Sequence, residues 1–150
     1  MKSYPSNTAG IIQALIDLQV ALTGGGSGAQ SVAALLPTTA GEDVTKGDAV
    51  HISSVDGKVY KTTNINSKER ATLLGLAKED ALANNPLTVV ARGPIEGLTG
   101  LSVGREYFLT TNGGISTTAP TGGGVYSTFV GQAVSATVMD VQPVAPIYLT

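Results

Sequence analysis

The first segment of the chain places its apolar residues at the spacing of a helix. Ser6, Asn7 and Thr8 are candidate N-caps, because each has a side-chain oxygen that can accept a backbone N–H. Apolar residues then recur at intervals of four, three and four, which put side chains on one helix face. We therefore predict a short amphipathic helix within residues 1–23, with an assembly or anchoring surface made of Ile11, Ile12, Leu15, Ile16, Leu18 and Leu22.

Residues 24–40 are predicted to be a Gly/Ser-rich linker and connector, since they begin GGGSG and then show no clear period. A helix of about fifteen residues is only marginally stable alone in water, so its apolar face needs a partner. That partner is either the rest of the same chain or other molecules, including copies of the chain. The loose tether favours other molecules, and a mixture of Ile and Leu along the face favours more than two helices.

From residue 41 the pattern changes to short β-rich runs separated by turn residues, which predicts a β domain over 41–150. Within it, VTKGDAVHISSVDGK (44–58) aligns without gaps on LSVGREYFLTTNGGI (101–115), an offset of 57. A weaker match relates residues 73–95 to 129–147, where both copies contain Gly-x-Ala. We predict two similar β units, about 41–96 and 98–148, packed as a small barrel or sandwich. The predicted fold class is thus mainly β, preceded by the N-terminal helix and linker.

Composition narrows the partners and the chemistry. Only 13% of the 150 residues are charged, which favours a chain that hides surface against other subunits, with a soluble Thr-rich monomer as the alternative. The net charge of −2 gives no basic field for nucleic acid, and no apolar run is long enough to span a membrane. The chain has no cysteine and one histidine, His51, so we expect no disulfide, metal or cofactor.

One string has the form of a hydrolase motif, Gly100-x-Ser102-x-Gly104. A nucleophile elbow requires a strand before the serine and a helix after it, whereas REYFLTT, which follows here, is typical of a strand. A triad would also need His51 as base and an acid such as Asp43, Asp48 or Asp140. We predict that the string is a turn, that there is no catalytic residue and that the protein is not an enzyme. His51 either lies in a hairpin covered on both faces, one by the domain core and one by a neighbour, or is a surface residue without a role.

The acidic pairs Glu42-Asp43 and Glu79-Asp80 suit loops better than acid–base catalysis, because neighbouring residues of an extended chain face opposite ways. Asp43 and Asp48 offer oxygen ligands to a cation, but the spacing of a calcium loop is absent from the sequence. Solvated loops are the interpretation we favour.

The order of motifs over residues 41–149 resembles a β module of tailed-bacteriophage virion proteins. The elements are G-D-x-V, D-G-K-V-Y, G-x-A and G-L-T-G-L-x-x-G-x-x-Y-x-L, and a short N-terminal helix with a Gly/Ser linker is similar to head-fibre proteins. The resemblance implies a structural capsid decoration (cement) or head-fibre subunit at the capsid surface of a virion, made in the host cytoplasm. Its implied partners are copies of itself, in a homotrimer, and the major capsid protein or another virion protein.

Two other functions remain open. A tail-fibre or receptor-binding module would use exposed Tyr60, Tyr107 or Tyr126 to stack on a host glycan. A serine hydrolase built on Ser102 and His51 is the remote alternative.

Overall fold

The computed structural model describes residues 32–150. The predicted helix and its six assembly residues, together with residues 24–31 of the predicted linker, lie outside the described residues. The described part is mainly β, and its main sheet curls into a half barrel. The mainly β class is therefore confirmed, and the predicted barrel or sandwich takes the form of an open, curled sheet.

The described residues form strands and one short helix. In chain order they are β1 (Ala34–Thr39), β2 (Ala49–Ile52), β3 (Val59–Lys61), α1 (Lys68–Ala71), β4 (Gly75–Ala77), β5 (Pro86–Ile95), β6 (Glu106–Leu109), β7 (Ile115–Ser116), β8 (Tyr126–Ser127), β9 (Phe129–Ala133), β10 (Met139–Val141) and β11 (Ile147–Tyr148).

Nine of these strands form one sheet in the order β3-β2-β4-β5-β10-β9-β6-β7, with β1 also paired to β5. The strands pair antiparallel throughout, and β8 and β11 form a separate two-stranded ribbon. From one edge of the sheet to its centre the order is β3-β2-β4-β5, and from the opposite edge to the centre it is β7-β6-β9-β10, so the two series correspond strand by strand. We call these strands and their loops the first half (41–96) and the second half (98–148).

The register also matches between the halves. Val50 of β2 lies opposite Gly75 of β4, and Tyr107 of β6 lies opposite Gly131 of β9. The sequence offset of 57 takes Val50 to Tyr107. The halves join where β5 pairs with β10, with Ile95 opposite Met139.

The Gly-x-Ala motif has the same role in both halves. A Cβ at Gly75 would collide with the carbonyl oxygen of Val90, and a Cβ at Gly131 would collide with that of Asp140. In each half the neighbouring strand thus approaches closely over a residue that has no side chain. The glycines of the motif are needed for strand packing.

The connector prediction needs one correction. Residues 34–39, which we assigned to the connector, form β1 and pair with Pro86–Arg92 of β5. The β domain therefore includes residues from Ala34 rather than from residue 41. The run AALLPTT has no alternation of polar and apolar residues, since both faces of β1 are largely exposed and carry apolar side chains.

Two clusters of buried side chains hold the domain together. The central core draws on both halves, and a second core is built from the first half together with Ala40, which follows β1. Neighbouring residues of β2, β4 and β5 point alternately into the two cores, so this part of the sheet is buried on both faces. The central core contains Ala49, Leu73, Leu76, Val90, Ile95, Tyr107, Leu109, Val130, Ala133, Met139 and Val141, and the first-half core contains Ala40, Val44, Val50, Val59, Ala77, Ala81, Leu87 and Val89.

Candidate functional site

The hydrolase-like string lies in a β-turn. The N–H of Arg105 donates to the carbonyl of Ser102 at 3.1 Å, and Gly104 has φ +80°, as the third residue of a type II turn requires. The chain continues into β6 rather than into a helix. This is the arrangement expected of a turn, not of a nucleophile elbow.

The first half contains the same turn, formed by Thr45–Asp48. Asp48 N–H donates to the carbonyl of Thr45 at 2.9 Å, and Gly47 has φ +89°. In each half the turn glycine donates its N–H to the carbonyl oxygen of the alanine in the Gly-x-Ala motif of the same half. Both distances are 2.8 Å, from Gly47 to Ala77 and from Gly104 to Ala133. Ser102 therefore stands where the first half has a threonine, in a turn that docks β6 onto β9.

His51 lies in the interior, with only 3% of its surface exposed. Our alternative that it is a surface residue is wrong, because the side chains around β2 within this chain cover it. Its Nδ1 lies 3.2 Å from the carbonyl oxygen of Ile52, and its buried Nε2 has no hydrogen-bond partner. Burial lowers the pKa of His51, because an imidazolium would lose its hydration there. No hydrogen bond joins it to Ser102 among the described residues.

The acidic pairs fix loops, and the two members of each pair bind different elements. Glu42 accepts the N–H of Lys61 at 2.8 Å, while Asp43 accepts that of Ala83 at 2.9 Å. Glu79 accepts the N–H of Thr88 at 2.9 Å, and Asp80 accepts that of Lys46 at 2.8 Å. These bonds tie the two loops that carry the carboxylates to β3, to β5 and to each other around the first-half core, and they satisfy backbone donors there. We predicted only that these carboxylates are solvated loop residues, and the structure shows that they also anchor the loops through hydrogen bonds to backbone N–H groups.

A hollow of about 570 Å³ is lined by both Asp43 and Asp80, together with apolar residues that include Leu82 and Pro86. Both carboxylates already accept backbone N–H groups. Asp48, the other candidate ligand, accepts the N–H of Thr45 at 2.9 Å, and burial raises its pKa. Within residues 32–150 no three acidic, histidine or cysteine side chains converge as a metal site would require.

The three tyrosines considered for glycan stacking have different surroundings. Tyr107 is buried in the central core, so its predicted exposure is wrong, and its hydroxyl accepts the N–H of Ser102 at 2.8 Å. Tyr60 packs its ring over Gly41 and donates its hydroxyl to Asp56 at 2.7 Å, a bond that lowers the pKa of that carboxyl. Tyr126 is partly exposed and lies beside Tyr148 of β11, with ring centroids 5.0 Å apart.

Exposed apolar side chains gather in two places. On β1, Leu35 and Leu36 are 48% and 38% exposed. Around the β8–β11 ribbon, Val144, Ile147 and Tyr148 are exposed. Groups of this kind are typical of contact surfaces rather than of scattered surface residues.

The sequence pattern did not identify either group. β1 lacks alternation, and the ribbon strands are two residues long, so neither produces a periodic signal. The one available sign was the apolar run VAALLP at 32–37.

Comparison with known proteins adds no identification: no family model matches the chain, and no curated protein matches it significantly. Among the described residues, no helix has the length and apolar character that a membrane crossing demands.

Proposed function

We propose that this chain is a structural subunit of a tailed-bacteriophage virion, a capsid decoration (cement) or head-fibre protein. In this proposal it assembles with copies of itself as a homotrimer and binds the major capsid protein or another virion protein at the capsid surface. Its β domain is a duplicated β unit, and residues 11–22 form the assembly or anchoring element. It carries no catalytic residue.

The observation that supports this proposal most directly is where the motifs of the resemblance lie. G-D-x-V forms the turn into β2, and D-G-K-V-Y forms the turn into β3. G-x-A provides the close contact between β4 and β5, while the longer motif leads through the Ser102 turn to the core residues Tyr107 and Leu109 of β6. Each motif serves the fold of a module rather than a reaction, which suits a structural protein.

The surface is consistent with assembly. Apolar side chains are exposed on β1 and on the β8–β11 ribbon, in a chain of which only 13% is charged. Depletion of charge with exposed aliphatic and aromatic side chains is characteristic of the central part of protein interfaces.

A mass-spectrometric census of purified particles from the phage that encodes this chain tests the proposal. We expect the protein in stoichiometric amounts in the particle, and its absence from particles would overturn the proposal. A double variant, Leu15→Asp with Leu18→Asp, tests the assembly element. Self-association or capsid attachment should fall while the circular dichroism of the β domain stays unchanged.

The Tyr126–Tyr148 pair favours a second candidate function, a tail-fibre or receptor-binding module for a host glycan. Two adjacent rings on an exposed ribbon provide a surface on which a sugar can stack. Wild type and Tyr148→Ala should then differ on a glycan array. An array without signal for the wild type removes this candidate.

A further inference from the structure

The N-terminal half of β1 is apolar and uncovered on both of its faces. Leu35 and Leu36 are neighbours in a strand, so their side chains point to opposite faces. Both are nonetheless exposed, as are Ala34 and Pro37 beside them. The apolar side chains of β5, the strand with which β1 pairs, are by contrast buried: Leu87, Val89, Val90 and Ile95.

A groove of about 390 Å³ lies beside this half of β1. Its apolar part includes Ala33 and Leu35, with Val90 and Ile95 of the central core. Its charged residues carry both signs, Lys46 and Lys78 against Glu96. An apolar side chain entering the groove would therefore meet core residues inside and charged residues around it, as at the centre and rim of a protein interface.

The free edge of β1 is poorly suited to adding a long strand. Among the described strands β1 pairs only with β5. Pro37, near its middle, has no N–H to donate, so a hydrogen-bonded ladder would be interrupted there. A partner must accordingly be held mainly by packing against Leu35, Leu36 and the groove.

The position of β1 in the chain indicates which partner this is. The apolar stripe of residues 11–22 is separated from Val32 by nine residues, 23–31, which reach no further than roughly 30 Å. Two such tethers hold the β1 strands of copies joined through that stripe within roughly 60 Å of each other, which raises the effective concentration of one β domain near another. The mixed charges also suit a second copy, since Glu96 of one copy can face Lys46 or Lys78 of the next copy around a trimer.

We propose that Ala34–Pro37 and the adjoining groove form the contact through which the β domain of one copy packs on the β domain of a second copy. This inference rests on the proposed self-association and adds the surface that the β domain contributes to it.

The first test compares two double variants of the full chain by sedimentation equilibrium. Leu35→Glu with Leu36→Glu places charge on the proposed contact, and Val55→Glu with Val103→Glu does the same at exposed apolar residues in turns elsewhere. We expect at least about tenfold weaker association for the first pair and less than about twofold for the second. Equal effects, or no effect of the first pair, would overturn the inference.

A second test applies if Leu35→Glu with Leu36→Glu lowers the unfolding midpoint of the β domain, because weaker association could then result from loss of folding. The chain has no cysteine, so Leu35→Cys and Val55→Cys each introduce a single thiol. We expect disulfide-linked dimers to form at least about tenfold faster through residue 35, which lines the groove, because a contact raises the local concentration of its thiols. Equal rates overturn the inference.

The outcomes separate this inference from the proposed function. If Leu15→Asp with Leu18→Asp abolishes association while the β1 pair leaves it unchanged, the inference fails and the proposed assembly stands. If the wild type is a monomer at micromolar concentration, is absent from particles and binds none, both fail.

Discussion

The two halves of the β domain share their backbone plan and differ in the side chains that complete it. Each half has the type II turn, the glycine that admits the neighbouring strand and the bond between turn and alanine. The first half fixes its loops with carboxylates such as Glu42 and Glu79, whereas the second half uses hydroxyl and amide groups such as Ser135 and Gln132. The comparison indicates that turns and close strand contacts determine this fold, while the polar groups that satisfy the loops are exchangeable.

His51 and Phe108 show how different the chemistry of one position can be. The offset of 57 relates them, and both lie in the middle of the first strand of a hairpin. Phe108 packs edge-on against Phe129, with centroids 5.9 Å apart. His51 is tilted against Tyr60 at 6.2 Å and leaves Nε2 without a partner. Both halves place a ring at this position, but only the ring of His51 can bind a proton.

The largest expected effect comes from the glycines that the halves share. Gly75→Ala and Gly131→Ala each drive a methyl group into a backbone carbonyl, and we expect each to lower the free energy of unfolding by about 3 kcal/mol. Urea denaturation measures the loss. Gly104→Ala is the control, because its Cβ meets open space and only the positive φ is penalised, by about 1 kcal/mol. If only one of the two glycines matters, the halves are not equivalent.

The second-largest effect is a pH dependence of stability that arises from His51 and therefore from the first half. Because burial lowers the folded-state pKa of His51, the unfolded state binds a proton more readily. The free energy of unfolding should therefore fall as pH drops below about 6.5, by at most about 1.4 kcal/mol per pH unit, until the folded-state pKa is passed. The carboxyl of Glu69 opposes this shift and the guanidinium of Arg70 adds to it.

His51→Phe installs the ring of the second half and tests this effect. The denaturation midpoint of the variant should stay level between pH 7.5 and 5.5, since His51 is the only histidine of the chain. Below that range both proteins share the titration of their carboxyls. An equal slope in the variant and the wild type would assign the pH dependence to other groups.

A smaller effect on stability is expected when the hydroxyl of Tyr107 is removed. Tyr107 stands at the position that corresponds to the apolar Val50 of the first half. Its hydroxyl accepts the N–H of Ser102, and Tyr107→Phe leaves that donor unpaired at a loss of about 1 kcal/mol. Tyr148→Phe, on the exposed ribbon, is the matched control and should leave the unfolding midpoint unchanged. Equal midpoints for the two variants would mean that the bond contributes nothing.

The sequence predicted the parts of this fold that depend on local chemistry. Gly57 and Gly113 belong to Asp-Gly and Asn-Gly turn sequences and have positive φ, and the copies aligned at an offset of 57 contain β2 and β6, each the first strand of a hairpin. β1 was missed because its apolar residues face outward on both sides, so burial imposed no period on them. The sequence left the burial of His51 open and wrongly predicted an exposed Tyr107, because their burial depends on tertiary packing and not on the pattern of their own strands. The alternation of polar and apolar residues indicates which face of a strand is apolar, but it does not indicate which residues pack on that face.

The smallest effect concerns Ser102. Its counterpart in the other half is Thr45, and in both turns the bond that matters runs from backbone to backbone. We expect Ser102→Ala to change the free energy of unfolding by less than about 0.5 kcal/mol, as an exposed residue without a special role does. A fluorophosphonate probe, which reacts with activated serines, should label neither protein. His51 makes no hydrogen bond to Ser102 in the described residues, so nothing there raises the nucleophilicity of that hydroxyl. Labelling of the wild type that disappears in Ser102→Ala would show instead that the two turns, alike in their backbone, differ in function.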